Sequence, residues 1–110
     1  MKNQDYSGLK ELKRLIPAEE IAGLVAEEYG INSEDILRAR SKWREARQVL
    51  IELSYRLNFR KKSLGELGEE LGDISGAALT HTHHRLQKKM EKDKKLSRRV
   101  NRIYQGVISH

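Results

Sequence analysis

The chain has 110 residues, no cysteine and a formal net charge of +6, and its aromatic residues are one Trp, one Phe and four Tyr. This length allows one domain with a modest core rather than a catalytic domain joined to a binding domain, and the lack of cysteine excludes disulfides and thiolate metal sites. No segment has the apolar length that crosses a bilayer or forms a signal-peptide core, so we expect a soluble cytoplasmic protein.

Apolar residues recur at helical spacing along the chain, and no stretch alternates apolar and polar residues as a half-buried strand would. With so few aromatic residues the core must consist mainly of Leu, Ile, Val and Ala, which suits a bundle of helices. We predict an all-α fold in which residues 1–16 form an N-terminal arm or lead-in helix and residues 17–110 form the domain.

The first helix of the domain is predicted to begin at Pro17, because the fixed φ of proline suits the first helical position. Gly30 ends this helix, and Asn32 or Ser33 can cap a single further turn through residues 36–37. The residues on the apolar stripe of the first helix are Ile21, Leu24, Val25 and Tyr29.

Positive charge is concentrated in residues 37–62, which hold nine basic and two acidic side chains, whereas residues 1–36 hold four and eight. Basic residues recur there at almost every second position, a spacing that can line a loop wrapped around a nucleic-acid backbone but cannot face one side of a helix. Arg also donates pairs of hydrogen bonds to phosphate oxygens. The residues predicted to contact phosphate are Arg38, Arg40, Lys42, Arg44, Arg47, Lys61 and Lys62. The alternative is a solvated charged surface.

A long central helix is predicted from Trp43 to Asn58. Trp43 is expected to anchor the preceding loop to the core, and stacking of its ring on a sugar or base is the alternative. The apolar stripe of this helix consists of Ala46, Val49, Leu50, Leu53 and Leu57.

Residues 63–90 have the pattern of two helices joined by a tight turn, a helix-turn-helix. Ser63 and Glu66 have the spacing of a capping box, which starts the first helix, and Gly72 supplies the positive φ that ends it. Leu64, Leu67 and Leu71 form one apolar stripe at helical spacing.

Ser75 can cap the second helix, with Ile74 and Leu79 placed for a hydrophobic staple. Its core stripe is Leu79, His83, Leu86 and Met90, and its opposite face is free to enter the major groove of DNA. The residues predicted to contact DNA from this helix are Ser75, Ala77, Thr80, His81, His84, Arg85 and Lys88.

The run EKDKK, residues 91–95, is predicted to be a solvated hinge. A final helix then closes the core with the apolar residues Leu96, Val100, Ile103 and Val107.

This order of parts resembles the C-terminal DNA-binding domain of the bacterial replication initiator DnaA over about residues 17–108. In that family an Arg-Gln pair opens the long helix, as Arg47 and Gln48 do here, and the supporting helix reads S-L-x-E-I-G, as residues 63–68 nearly do. The resemblance implies a Trp-repressor-like helix-turn-helix fold, binding of double-stranded DNA and location at the nucleoid.

The chain departs from the DnaA signature G-G-R-D-H-T-T-V-x-H-A, since residues 72–82 read GDISGAALTHT. Only Gly72, the apolar Leu79 and His81 match it, so the resemblance implies the fold but an altered or weak sequence preference. The segment ISGAALTHTHHRL also resembles the recognition helices of DnaA-like domains appended to REP-associated transposase-like proteins. That family is the alternative to the initiator.

Other functions have weaker support in the sequence. Three His residues lie close together at 81–84, but no acidic residue lies among them to complete a metal site. No Walker A motif is present and no nucleophile has a partnered base, so we expect no enzyme, cofactor or small-molecule substrate. The competing hypothesis is a protein-interaction module, which the loss of the DnaA signature favours and the dense basic segment opposes.

Overall fold

The computed structural model describes residues 16–37, 42–58 and 62–108. Within these ranges the chain is helical and contains no strand, which confirms the predicted all-α class. The predicted N-terminal arm, except Ile16, lies outside the described residues. The helices are α1 Ala18–Tyr29, α2 Ser33–Ile36, α3 Arg44–Arg56, α4 Leu64–Glu70, α5 Gly76–Lys92 and α6 Lys94–Ile108.

Helix α3 occupies the centre of the molecule and packs against α1, α2, α5 and α6. Its predicted apolar stripe is fully buried, as expected for a helix that faces the core. Because neighbours also cover its other sides, four further residues of α3 are buried. One is the apolar Ile51, and the polar ones are Arg47, Glu52 and Ser54. None of the helices in the described ranges is long and apolar enough to cross a membrane.

The caps predicted for the short elements are present. Gly30 has a φ of 67° at the end of α1, and the Asn32 side chain accepts a hydrogen bond from the Glu34 amide at 3.0 Å. Helix α1 begins one residue later than predicted. Pro17 precedes it as the cap residue, with φ −63° and ψ 146°. The fixed φ of proline suits this extended position as well as a first helical one.

The capping box of α4 is also confirmed. The Ser63 amide donates to Glu66 Oε1 at 2.9 Å, and the Glu66 amide donates to Ser63 Oγ at 3.2 Å. At the start of α5, Ser75 Oγ accepts a hydrogen bond from the Ala78 amide at 3.0 Å. Both helices therefore begin where their sequence signals predict.

Two large apolar residues are 38% exposed, namely Leu64 and Trp43. Leu64 lies in the first turn of α4, where it covers the backbone at Gly76 rather than the core. Trp43 directly precedes α3, and its ring lies 5.2 Å from Lys42 Nζ. Leu67 and Leu71 of the same stripe are buried, and the predicted anchoring of the preceding loop by Trp43 stays a prediction, because residues 38–41 lie outside the described ranges.

The predicted five-residue hinge after α5 is a single residue. Helix α5 continues to Lys92, and only Asp93 is non-helical before α6 begins. Asp93 Oδ1 accepts a hydrogen bond from the Leu96 amide at 3.0 Å, which is the geometry of an N-cap. The four predicted core residues of α6 are buried.

The turn between α4 and α5 is unusually tight. Gly72 and Asp73 both have positive φ, 97° and 60°, and the Ile74 amide donates to the Gly68 carbonyl at 3.0 Å. A Cβ atom on Gly68 would lie 1.9 Å from the Ile74 carbonyl oxygen. Because backbone rather than a movable side chain occupies this space, α4 and the turn can approach this closely only if residue 68 is glycine.

We therefore expect Gly68→Ala to lower the free energy of unfolding by about 3 kcal/mol, the upper end of the usual cost of overpacking. Gly23→Ala is the matched control, because Gly23 is an exposed residue of helix α1 with no atom within 4 Å of its added Cβ. It should raise stability by about 0.5–1 kcal/mol, the difference between Gly and Ala inside a helix. Urea unfolding of both variants measures these changes in the free energy of unfolding. Equal stabilities for the two variants would contradict the packing of the turn.

The capping box predicts a dependence of stability on pH. The hydrogen bond from the Ser63 amide lowers the pKa of Glu66 in the folded protein. A lowered pKa means that the ionised carboxylate stabilises the fold above the unfolded-state pKa, and that this contribution disappears as the pH falls through the folded-state value. The difference in Tm between wild type and Glu66→Ala should therefore shrink between pH 6 and pH 3. Glu69→Ala is the control, because that carboxylate makes no hydrogen bond within the described residues. If the Tm difference between wild type and Glu66→Ala is the same at pH 6 and pH 3, the charge of Glu66 has no role in the cap.

Candidate nucleic-acid interface

One side of α5 is open to solvent along the helix. The side chains at Ala77, His81, His84 and Lys88 recur every three or four residues and are all exposed, as is Arg85 beside them. This is the face that the sequence predicts to contact DNA. Helix α5 also packs against α4, to which the tight turn joins it, so the two helices have the connectivity of a helix-turn-helix.

Two hydroxyl groups of the predicted interface already take part in the helix. Ser75 Oγ accepts the capping hydrogen bond from Ala78, and Thr80 Oγ1 donates to the Gly76 carbonyl at 3.3 Å. These bonds fix the direction of both side chains. While it caps α5, Ser75 keeps its hydroxyl hydrogen and one lone pair for a base or phosphate, whereas Thr80, whose hydrogen is used, can only accept.

The inward side of α5 is attached to α3 by a buried carboxylate. Glu52 is 0% exposed, and its oxygens lie 2.6 Å from His83 Nδ1 and 2.7 Å from the donating Gln87 Nε2. Arg56, one turn later on α3, also donates to Oε2, from Nη2 at 2.7 Å and from Nε at 3.2 Å. We call Glu52, Arg56, His83 and Gln87 the Glu52 cluster.

Three donated hydrogen bonds, two from Arg56 and one from Gln87, together with the His83 ring contact make the burial of this carboxylate tolerable. An isolated buried carboxylate is strongly unfavourable, and pairing together with hydrogen bonds offsets the loss of hydration. The His83 ring also stacks on Tyr55, with ring centroids 4.5 Å apart and an angle of 15° between the planes. The prediction that His83 is packed rather than free is thus confirmed, and its partner is a residue that the sequence interpretation missed. The sequence did contain a signal for this partner, because Glu52 is the single charged residue in the apolar run at residues 49–53.

Arg47 has a different place from the one predicted. It is 7% exposed, and its guanidinium donates from Nη1 to the Ile36 carbonyl at 3.0 Å and from Nη2 to the Leu71 carbonyl. Burial lowers the pKa of Arg47. The expected phosphate contact is therefore incorrect for this residue, because its donors satisfy carbonyl groups at the ends of α2 and α4.

The Arg47 contacts nevertheless have a consequence for the site. They hold the first turn of α3 beside Leu71, which directly precedes the turn between α4 and α5. Lys42 and Arg44, two cations of the basic segment, are exposed at this start of α3. The structure thus brings two of the predicted phosphate contacts to the end of α3 that lies next to the turn before α5.

The remaining predicted phosphate contacts divide into two groups. Lys62 forms an ion pair with Glu70, and its backbone amide and carbonyl are both bonded to the Asn58 side chain, at 3.3 and 2.8 Å. Its predicted phosphate contact stays a prediction, and a phosphate there would compete with Glu70 for the ammonium group. Arg38, Arg40 and Lys61 lie outside the described residues.

Within the ranges that the structure describes, no three His, Asp or Glu side chains come together as metal ligands would. The chain matches no protein-family model, no curated protein and no solved structure. The resemblance to DnaA and to the transposase-associated domains accordingly remains a prediction from sequence motifs.

The Glu52 cluster makes a testable prediction about how α5 is held. Glu52→Ala removes the shared acceptor and should lower the free energy of unfolding by about 3 kcal/mol, at the lower end for a broken buried ion pair, because Arg56 and His83 keep some contact with water. Glu45→Ala, which removes a partly buried carboxylate of the same helix bonded to Tyr29, should cost about 1 kcal/mol. Urea unfolding gives both values, and NMR shifts of the α5 amides report whether the helix has moved. An equal or smaller loss for Glu52→Ala would show that the cluster does not hold α5.

Proposed function

We propose that this protein binds double-stranded DNA, with α5 in the major groove and the basic segment on the phosphate backbone. The single observation that supports this most strongly is the exposure of two cations, Lys42 and Arg44, at the start of α3, which Arg47 bonds to Leu71 just before the turn into α5. Phosphate contacts position a protein on the duplex, and contacts to base edges provide sequence preference. The proposed site has groups suited to both tasks.

The groups on α5 suggest how bases are contacted. Ala77 offers an apolar surface for a thymine methyl group, and His81 and His84 offer ring nitrogens to base edges or to phosphate. Arg85 and Lys88 lie further along the same exposed side, where they can reach the backbone. Since the side chains of the DnaA signature are absent, we propose a sequence preference different from that of the replication initiators, or a weak one.

The proposed fold family and cellular role follow from the resemblance to the DnaA domain. We propose a DnaA-like, Trp-repressor-like helix-turn-helix located at the nucleoid, in a replication initiator or in a transposase-like protein. A protein-interaction role remains the second candidate, and the exposed Leu64 beside the start of α5 favours it because a free apolar side chain suits a protein surface.

Binding to random-sequence duplex should depend steeply on salt. If four to seven phosphates are neutralised, log K should fall with log salt at a slope of about −4 to −6. Fluorescence anisotropy at several salt concentrations gives this slope. No binding at 50 mM salt would exclude the DNA proposal and favour a protein partner.

Two variants separate phosphate contacts from base contacts. Replacing Lys42 and Arg44 with Ala should weaken binding to every sequence and reduce the size of the salt slope by about 2, one unit for each lost phosphate contact. His84→Ala should instead weaken only the sequence enriched from a randomised library, by about 1–3 kcal/mol for one lost base contact, and leave the slope unchanged. Identical behaviour of the two variants would contradict the proposed division of roles.

A further inference from the structure

Helix α6 carries a strongly one-signed charge. Its fifteen residues include five basic side chains and no acidic one. The apolar side of the helix is buried in the core, so the charged side is turned to solvent. The basic residues are Lys94, Lys95, Arg98, Arg99 and Arg102.

A groove with a volume of about 380 Å³ separates the first turns of α6 from the first turn of α3. Its basic lining residues are Lys95, Arg98, Arg99 and Arg102, and its acidic ones are Glu45 and Asp93. A water molecule takes about 30 Å³ of liquid volume, so a phosphate group fits into this space.

The acidic groups in the groove are already occupied. Glu45 accepts a hydrogen bond from the Tyr29 hydroxyl at 2.7 Å and lies 3.6 Å from Arg99, while Asp93 caps α6. Burial raises the pKa of Tyr29, so its hydroxyl remains a neutral donor to Glu45. The lining nevertheless holds four basic side chains against two acidic ones, so the groove keeps an excess of positive charge.

The basic groups are of two kinds. Arg99 lies 3.4 Å from Glu28 and stacks on the Tyr29 ring at 4.6 Å, and Arg102 is also paired with Glu28. Lys95 and Arg98, by contrast, are exposed and have no ion-pair partner among the described residues. Lys95 and Arg98 are three residues apart, so they project from the same side of α6 into the groove.

This arrangement is unfavourable for the isolated protein. Like charges three or four residues apart on a helix repel each other, and cations in the first turn oppose the helix dipole. A bound anion would relieve both effects. Glu45 lines the groove and directly follows the exposed Arg44 in α3, so a phosphate contact at Arg44 and one in the groove would both lie at the start of this helix.

We propose that the groove between α3 and α6 is a second phosphate-binding site for the same DNA duplex, with Lys95 and Arg98 as its ligands. This proposal rests on the proposed function and adds two contacts that the sequence interpretation did not include. Arg99 and Arg102 keep their partners and shape the wall of the groove.

The test compares two double variants that remove the same charge. Lys95→Ala with Arg98→Ala removes the groove cations, and Lys92→Ala with Lys94→Ala removes two neighbouring exposed cations that do not line the groove. All four residues are exposed, so both variants should fold, which thermal unfolding checks. For random-sequence duplex, the groove variant should bind at least about tenfold more weakly, with a salt slope smaller in size by about 2, and the control should change the slope by less than about 0.5.

Equal slope changes in the two double variants would overturn the proposal, because they would show a general effect of charge. If the Lys42 and Arg44 variant loses affinity while the groove variant binds like wild type, the result supports DNA binding and overturns the groove site. Failure of the wild-type protein to bind duplex at 50 mM salt overturns both. Loss of binding to polyglutamate but not to duplex in the groove variant would assign the groove to an acidic protein and overturn the phosphate site.

Discussion

The arrangement of this molecule depends on two polar side chains inside its central helix. Glu52 connects α3 to the middle of α5, and Arg47 connects the start of α3 to the ends of α2 and α4. Apolar packing restricts these helices through the fit of their side chains, but the hydrophobic effect itself has no direction. Hydrogen bonds to fixed atoms impose direction, and partners that are lost inside the core leave unsatisfied groups behind. The exposed face of α5 is therefore oriented from its buried side.

Local signals in the sequence predicted much of the fold. The capping box at Ser63, the cap at Ser75 and the stop at Gly30 each depend on residues within four positions of one another, and each is present in the structure. The apolar stripes of α3 and α6 were also correct, because helical periodicity is a property of the segment itself. Signals of this kind need no knowledge of the neighbouring elements.

The errors concern residues whose environment is set by distant parts of the chain. Arg47 looked like one more member of a basic run, but the carbonyl groups that it binds are 11 and 24 residues away. The acceptor role of Glu52 depends on donors 31 and 35 residues away on α5. A charged residue in an apolar run shows that a buried partner exists without showing which one. The error at Asp93 is of a different kind. This acidic residue was assigned to a hinge because it lies in a lysine-rich run, but its side chain caps the next helix.

The close approach at Gly68 has a consequence for how such a protein could change its preference among DNA sequences. Because backbone atoms of the turn fill the space beside α4, and the Glu52 cluster fixes the far side of α5, the axis of that helix cannot be re-aimed by small changes in packing. The outward positions of α5, by contrast, carry little of the fold. For a DNA-binding role, new preferences would arise by exchange of side chains on an unmoved frame. Under this arrangement Ala77, His81 and His84 are the interchangeable part, and a library confined to these three positions would sample different target sequences without selecting again for folding.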